Sequence, residues 1–266
     1  MTLHEKSFVD AFNKIARHKH RYKVFADFVT VSAISLHNSI RKSEELEQEY
    51  LSIIGKYSKE EVSKFAQLLG ELVNLLEARP RDVLGQLYMS LELGNSNSGQ
   101  FFSPDSISRM MAKVVSGDHI ELPDCGFVTL SEPACGAGGM VLAYVDEMLQ
   151  QKLNPAHNLW VQCIDIDRTV ALMCYIQLSL WNVPAQVIVG NSLSLEFREQ
   201  YFTPAHYLFN WDYKLRQRRK QRAEEKEKIK PETKTKPENP EMPLSEPMTK
   251  IVEADEIVQL DMFENL

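Results

Sequence analysis

The stretch FVTLSEPACGAGGM, residues 127–140, decides the fold, because an apolar run ends in an acid and then breaks into a glycine-rich turn. Phe127, Val128 and Leu130 read as a buried strand, and Glu132 and Pro133 end it. Gly136, Gly138 and Gly139 let the backbone pass close to a bound molecule with no side chain in the way, and Val141, Leu142, Tyr144 and Val145 begin a helix. The dinucleotide fingerprint G-x-G-x-x-G is not met, since Val141 stands where its third glycine belongs.

Downstream of this turn the pattern repeats. Trp160 to Ile164 is a second apolar run ended by Asp165 and Asp167, Val170 to Trp181 reads as a helix, and Gln186 to Val189 reads as a third strand ended by Gly190 and Asn191. Strand, helix, strand, helix, strand predicts an α/β fold, a partial doubly wound Rossmann-like sheet with right-handed crossovers. Such sheets bind ligands at the carboxyl ends of their strands, where Glu132, Asp165 and Asn191 fall. One polar residue at a strand end is as readily a solvated end or a helix cap; three at consecutive ends favour a ligand site.

Upstream, residues 1–98 read as a helical region. Phe8, Phe12 and Ile15 recur at helical spacing, as do Phe25, Phe28, Val29 and Leu36. Val62, Phe65, Leu68, Leu69, Leu72, Leu75 and Leu76 form a longer stripe that follows Ser58 and acids, the composition of a helix start, and Pro80 closes it. Residues 99–222 are expected to form the sheet domain, with Tyr207, Leu208 and Phe209 as a further apolar stretch. Residues 223–258 are charged and proline-rich, with Pro231, Pro237, Pro240, Pro243 and Pro247 and little to bury, and read as a disordered linker. Apolar residues return only in IVQLDMF near the end.

The chain has 266 residues, 44% of them hydrophobic, and a formal net charge of −7. Met1 to Arg21 mixes charges throughout, which argues against a signal peptide, and no apolar run is long enough to span a bilayer. A cytoplasmic protein with no membrane partner is expected. The four cysteines lack a C-x-x-C pair and lie in apolar settings, so reduced thiols are expected rather than disulfides or zinc ligands. Overall acidity does not favour DNA, but Lys214, Arg216, Arg218, Arg219, Lys220 and Arg222 form a basic block that either neutralises phosphates or makes a charge-laced exposed helix.

The sequence EPACGAGGM closely resembles the D/E-P-A-C-G-S/A-G-G motif of adenine-N6 DNA methyltransferases related to the modification subunits of type I restriction systems. GQFFSP, Gly99 to Pro104, resembles that family's G-Q-F-F/Y-T-P, with Ser103 in place of Thr. The resemblance implies a bacterial, phage or plasmid protein that moves a methyl group from S-adenosylmethionine to the adenine amino group in DNA. It implies that Glu132, beside Gly136 and Gly138, accepts from the methionine ammonium, that Asp165 accepts from the ribose hydroxyls, and that Asn191 faces the adenine. Phe101 and Phe102 are expected near the methionine end.

The family's N-P-P-Y/F motif is missing. NWDY, Asn210 to Tyr213, retains the amide and the final aromatic, so Asn210 and Tyr213 are the expected catalytic pair, with TPAHY, Thr203 to Tyr207, as the other candidate. The family sheet continues past this motif, whereas here a charged helix follows, so a specificity or completing subunit is a possible partner. A pseudo-methyltransferase that binds cofactor or DNA without catalysis is the alternative. Finally, QLDMF, with Gln259, Leu260, Met262 and Phe263, resembles the peptide that docks on the bacterial DNA polymerase sliding clamp. The same five residues could equally be a short amphipathic end folding back on the domain.

Overall fold

The computed structural model describes residues 3–91, 93 and 102–229. The chain divides into two units, Met1–Glu224 and Glu225–Leu266, and the first holds the fold. Five helices come first: α1 (Leu3–Phe12), α2 (Arg21–Asn38), α3 (Glu44–Ile54), α4 (Lys59–Leu76) and α5 (Val83–Ser90). The start of α4 is fixed by a capping box, in which Ser58 accepts from the Glu61 amide and Glu61 reaches back to the Ser58 amide. The phenylalanine spacing of α1 and α2 becomes a cluster of edge-on rings, Phe8 on Phe28 at 5.8 Å and Phe12 on Phe25 at 6.0 Å, all fully buried.

The sheet domain follows as α6 (Asp105–Ser116), β1 (Val128–Glu132), α7 (Gly139–Gln150), α8 (Pro155–Asn158), β2 (Leu159–Asp165), α9 (Arg168–Leu180), β3 (Ala185–Asn191), β4 (Glu196–Phe202), α10 (Pro204–Leu208) and α11 (Trp211–Ile229). The four strands lie in sequence order, with β1, β2 and β3 parallel. Valine, isoleucine and cysteine fill β2 and β3 because both faces are covered, and α9 is buried almost throughout. Helices α2, α4 and α5 pack on α9, so the N-terminal helices and the sheet share one hydrophobic core.

The fourth strand is Glu196–Phe202, which pairs antiparallel with β3, and Tyr207 and Leu208 of the apolar stretch before NWDY belong to α10. Pro204 at the first helical position ends β4 and starts α10. The reversal after β3 needs Gly190, where a Cβ would stand 2.5 Å from the Glu196 carbonyl oxygen at a bulge between Val189 and Gly190. Because β4 alternates charged and aromatic residues, it has too little apolar content to read as a strand from sequence.

Candidate functional site

The carboxyl ends of β1 and β2 are joined by the glycine turn. The Cys135 amide donates to the Ile164 carbonyl at 2.9 Å, which ties the turn to β2. The Gly136 amide donates to Asp165 Oδ2 at 2.9 Å, while Asp165 Oδ1 accepts from the Asp167 amide at 2.9 Å. Gly136 has φ +54° and Gly138 has φ +92°, a left-handed region that side chains oppose. The two glycines do different things. A Cβ on Gly136 would meet the Phe102 ring at 3.6 Å, an ordinary contact, whereas on Gly138 it would press on Cys174 Sγ at 3.0 Å. Gly138 therefore makes room for α9.

Glu132 and Asp165 are both partly buried at neighbouring strand ends, and burial pushes both carboxyls above the usual range. Backbone amides only partly offset this: Glu132 accepts from the Ala134 amide at 3.3 Å, and Asp165 has the two bonds already named. No cation is paired with either carboxylate among the described residues. The site thus offers acceptor-only groups that a ligand bearing an ammonium and hydroxyls would satisfy.

Asn191 ends β3, but its Oδ1 accepts from the amides of Leu193 at 2.9 Å and Ser194 at 3.3 Å, so it shapes the β3–β4 turn. Phe102 packs edge-on against Tyr88 at 5.5 Å beside the glycine turn. Phe101 and the rest of GQFF lie outside the described residues, as does the QLDMF segment. Two apolar side chains that sequence reading passed over stand exposed beyond the same strand ends: Ile166 at 63% and Leu193 at 94%. An isoleucine between two aspartates after a buried strand is the signal that could have found the first.

Gln177 is also absent from the sequence-based set. Fully buried in α9, it accepts from the Val83 and Leu84 amides at 2.7 and 3.0 Å. Its Nε2 donates to the Ala137 carbonyl at 2.7 Å and to Asp82 Oδ1 at 3.0 Å. One amide thereby joins the start of α5, α9 and the glycine turn. Beside the site, Arg168 holds Glu49 through two nitrogens at 3.0 and 2.9 Å and Glu199 at 2.7 Å, linking α3, α9 and β4.

The NWDY segment is placed elsewhere. Asn210, at φ +54°, forms the turn between α10 and α11, and Trp211 is fully buried. The Trp211 indole donates to the Ala156 carbonyl at 3.1 Å and packs edge-on against Phe127 at 4.8 Å. Ala156 and Phe127 precede β2 and β1, so Asn210 and Tyr213 sit at the amino-terminal edge of the sheet, opposite the glycine turn. The cause is β4, which runs back antiparallel from Asn191 toward Gln186 and carries the chain away from the carboxyl ends. TPAHY lies at that same edge, where the Thr203 hydroxyl donates to the Val183 carbonyl at 2.7 Å and accepts from the Ala185 amide at 2.9 Å. The structure does not bring the expected catalytic pair together with the cofactor residues.

An open α/β sheet with a glycine turn and acidic strand ends is the architecture of a nucleoside-cofactor protein. The model of the N-6 DNA methylase family matches residues 79–259, most of the chain, and the protein belongs to that family. No curated protein matches it significantly. A Listeria monocytogenes protein with a crystal structure and a provisional class I S-adenosylmethionine-dependent methyltransferase assignment is similar at 14% identity and a TM-score of 0.40. The match covers 71% of this chain and 54% of that one, so the chain spans about half the length of that protein. S-adenosylmethionine is the cofactor that family membership implies, and the carboxylates with no paired cation among the described residues and the exposed Ile166 and Leu193 fit it.

Proposed function

We propose that this chain holds S-adenosylmethionine at the carboxyl ends of β1 to β3 and serves methyl transfer to the adenine amino group of DNA. The observation that carries the reading is the pair of part-buried carboxylates, Glu132 and Asp165, flanking a glycine turn with no cation between them among the described residues. Glu132 accepts from the methionine ammonium. Asp165 keeps its bonds to Gly136 and Asp167 and uses its remaining lone pairs for the ribose hydroxyls, since an ionised carboxylate offers about four acceptor sites. Ile166 and Leu193 cover the faces of the purine, and Phe102, with Phe101, borders the methionine end. Asn191 fixes the turn that carries Leu193. S-adenosylmethionine supplies an electrophilic methyl group; the protein supplies position.

Asn210 and Tyr213 flank Trp211, which packs on Phe127 and Ala156 at the far side of the sheet, so in this reading they do not grip a flipped adenine. We assign that task to a completing or specificity subunit that meets this chain at the glycine-turn edge. The same placement is the observation favouring a second reading, a non-catalytic module that binds cofactor or DNA. QLDMF then serves recruitment to a sliding clamp, with Leu260, Met262 and Phe263 filling apolar pockets and Gln259 giving direction. Transfer of labelled methyl groups to unmethylated DNA, with and without candidate partner proteins, separates the readings. Activity that appears only with a partner supports the first, and cofactor binding without transfer under any combination supports the second. Loss of clamp binding in a Leu260→Ala, Phe263→Ala double variant tests recruitment, and an unchanged signal rejects it.

A further inference from the structure

Cys135 in the glycine turn, Cys163 in β2 and Cys174 in α9 come from three different elements, and their sulfurs lie within 4.8 Å of one another. All three are free thiols, buried at 5%, 0% and 0% exposure in the apolar core. None is needed by the proposed cofactor contacts. Three sulfurs bonded to one pyramidal central atom at about 2.3 Å stand about 3.5 Å apart, so the cluster must draw together to bind one. Gly138 leaves the space in which Cys174 Sγ sits.

We propose that this cluster is a binding site for trivalent arsenic, taken up as arsenous acid. The donor set decides against harder ions: among the described residues no oxygen or nitrogen side-chain ligand joins the group, which disfavours magnesium and calcium, and zinc lacks its usual fourth ligand. Charge decides among the soft ones. Three thiolates leave a net negative charge around monovalent copper or zinc, which the apolar core opposes, whereas three thiolates on trivalent arsenic are neutral. The step balances without an oxidant. Three As–O bonds of arsenous acid break and three As–S bonds form. Each thiol proton leaves with one hydroxide as water, and arsenic stays trivalent. Entry is through the turn, since Cys135 is the member nearest solvent, and the product ties the cofactor turn to β2 and α9.

The full-length protein is reduced with a phosphine, freed of reductant and titrated with arsenite. Arsenic-edge X-ray absorption should show three sulfur neighbours, and native mass spectrometry should show one added arsenic less three hydrogens. Cys174→Ala should weaken uptake at least tenfold, while Cys125→Ala, outside the cluster, should leave it unchanged. If Cys174→Ala does not fold, the sulfur count on the wild-type protein still decides. Fewer than three sulfur neighbours, no adduct, or tighter binding of zinc or copper(I) than of arsenite at these thiols would overturn the proposal.

Discussion

Replacing Asp165 with alanine removes the one side chain that organises both the turn and the proposed ribose contact. In the structure its two oxygens accept from the Gly136 and Asp167 amides, each at 2.9 Å. Bonds to a charged acceptor contribute about 1.5 to 3 kcal/mol each, but burial of the carboxylate opposes part of this, so a stability loss of about 2 kcal/mol is expected. That should lower the melting temperature by roughly 4 to 8 °C for a chain of this size. Cofactor affinity should fall further, because the free turn must be reordered and two ribose hydroxyls lose their acceptor; a loss of about 2 to 3 kcal/mol, some thirty- to more than hundredfold in Kd, follows. Calorimetric titration with S-adenosylmethionine, beside thermal melts of both proteins, measures the two effects separately. A variant with wild-type Kd would remove Asp165 from the site, and one with wild-type melting temperature would refute its role in holding the turn.

Three further outcomes can be checked. Gly138→Ala, forced to φ +92° and pressed on Cys174 Sγ, should cost about 1 to 3 kcal/mol in chemical denaturation, and adding Cys174→Ala should recover only the steric part. Gln177→Ala strands the Val83 and Leu84 amides and the Ala137 carbonyl, so it should destabilise by about 2 to 4 kcal/mol, and a melt within a degree of wild type would contradict its bridging role. His206, buried where its Nδ1 accepts from the Trp160 indole, is held below the ordinary 6.5 by burial. The unfolded chain therefore binds this proton more readily, so wild-type stability should fall as pH drops through about 6.5, and His206→Gln should abolish that part of the slope. Identical pH slopes for the two proteins would refute it.

The parallel strands were legible because each is a short apolar run closed by a polar residue before a helix. Glu132, Asp165 and Asn191 fall at the ends of β1, β2 and β3, the positions expected from the sequence. What sequence could not show was direction. β4 carries Glu196, Arg198 and Glu199, so its role as an antiparallel edge strand was hidden, and its reversal carries Asn210 and Tyr213 to the side of the sheet opposite the glycine turn. Trp211, read as part of a catalytic string, is a core residue. Gln177 and the thiol cluster escaped because their partners are far away in sequence: Gln177 reaches Val83 across 94 positions, and nothing local marks a buried glutamine as a bridge.

The cofactor site is tested most directly by ultraviolet cross-linking of methyl-labelled S-adenosylmethionine to the full chain, followed by peptide mapping. Label should appear on the peptides that carry Phe101 and Phe102, the glycine turn from Glu132 to Gly139, or Ile166, and excess unlabelled cofactor should suppress it. Label confined to residues 203–222, at the opposite edge of the sheet, would contradict the site described, as would the absence of any suppressible label.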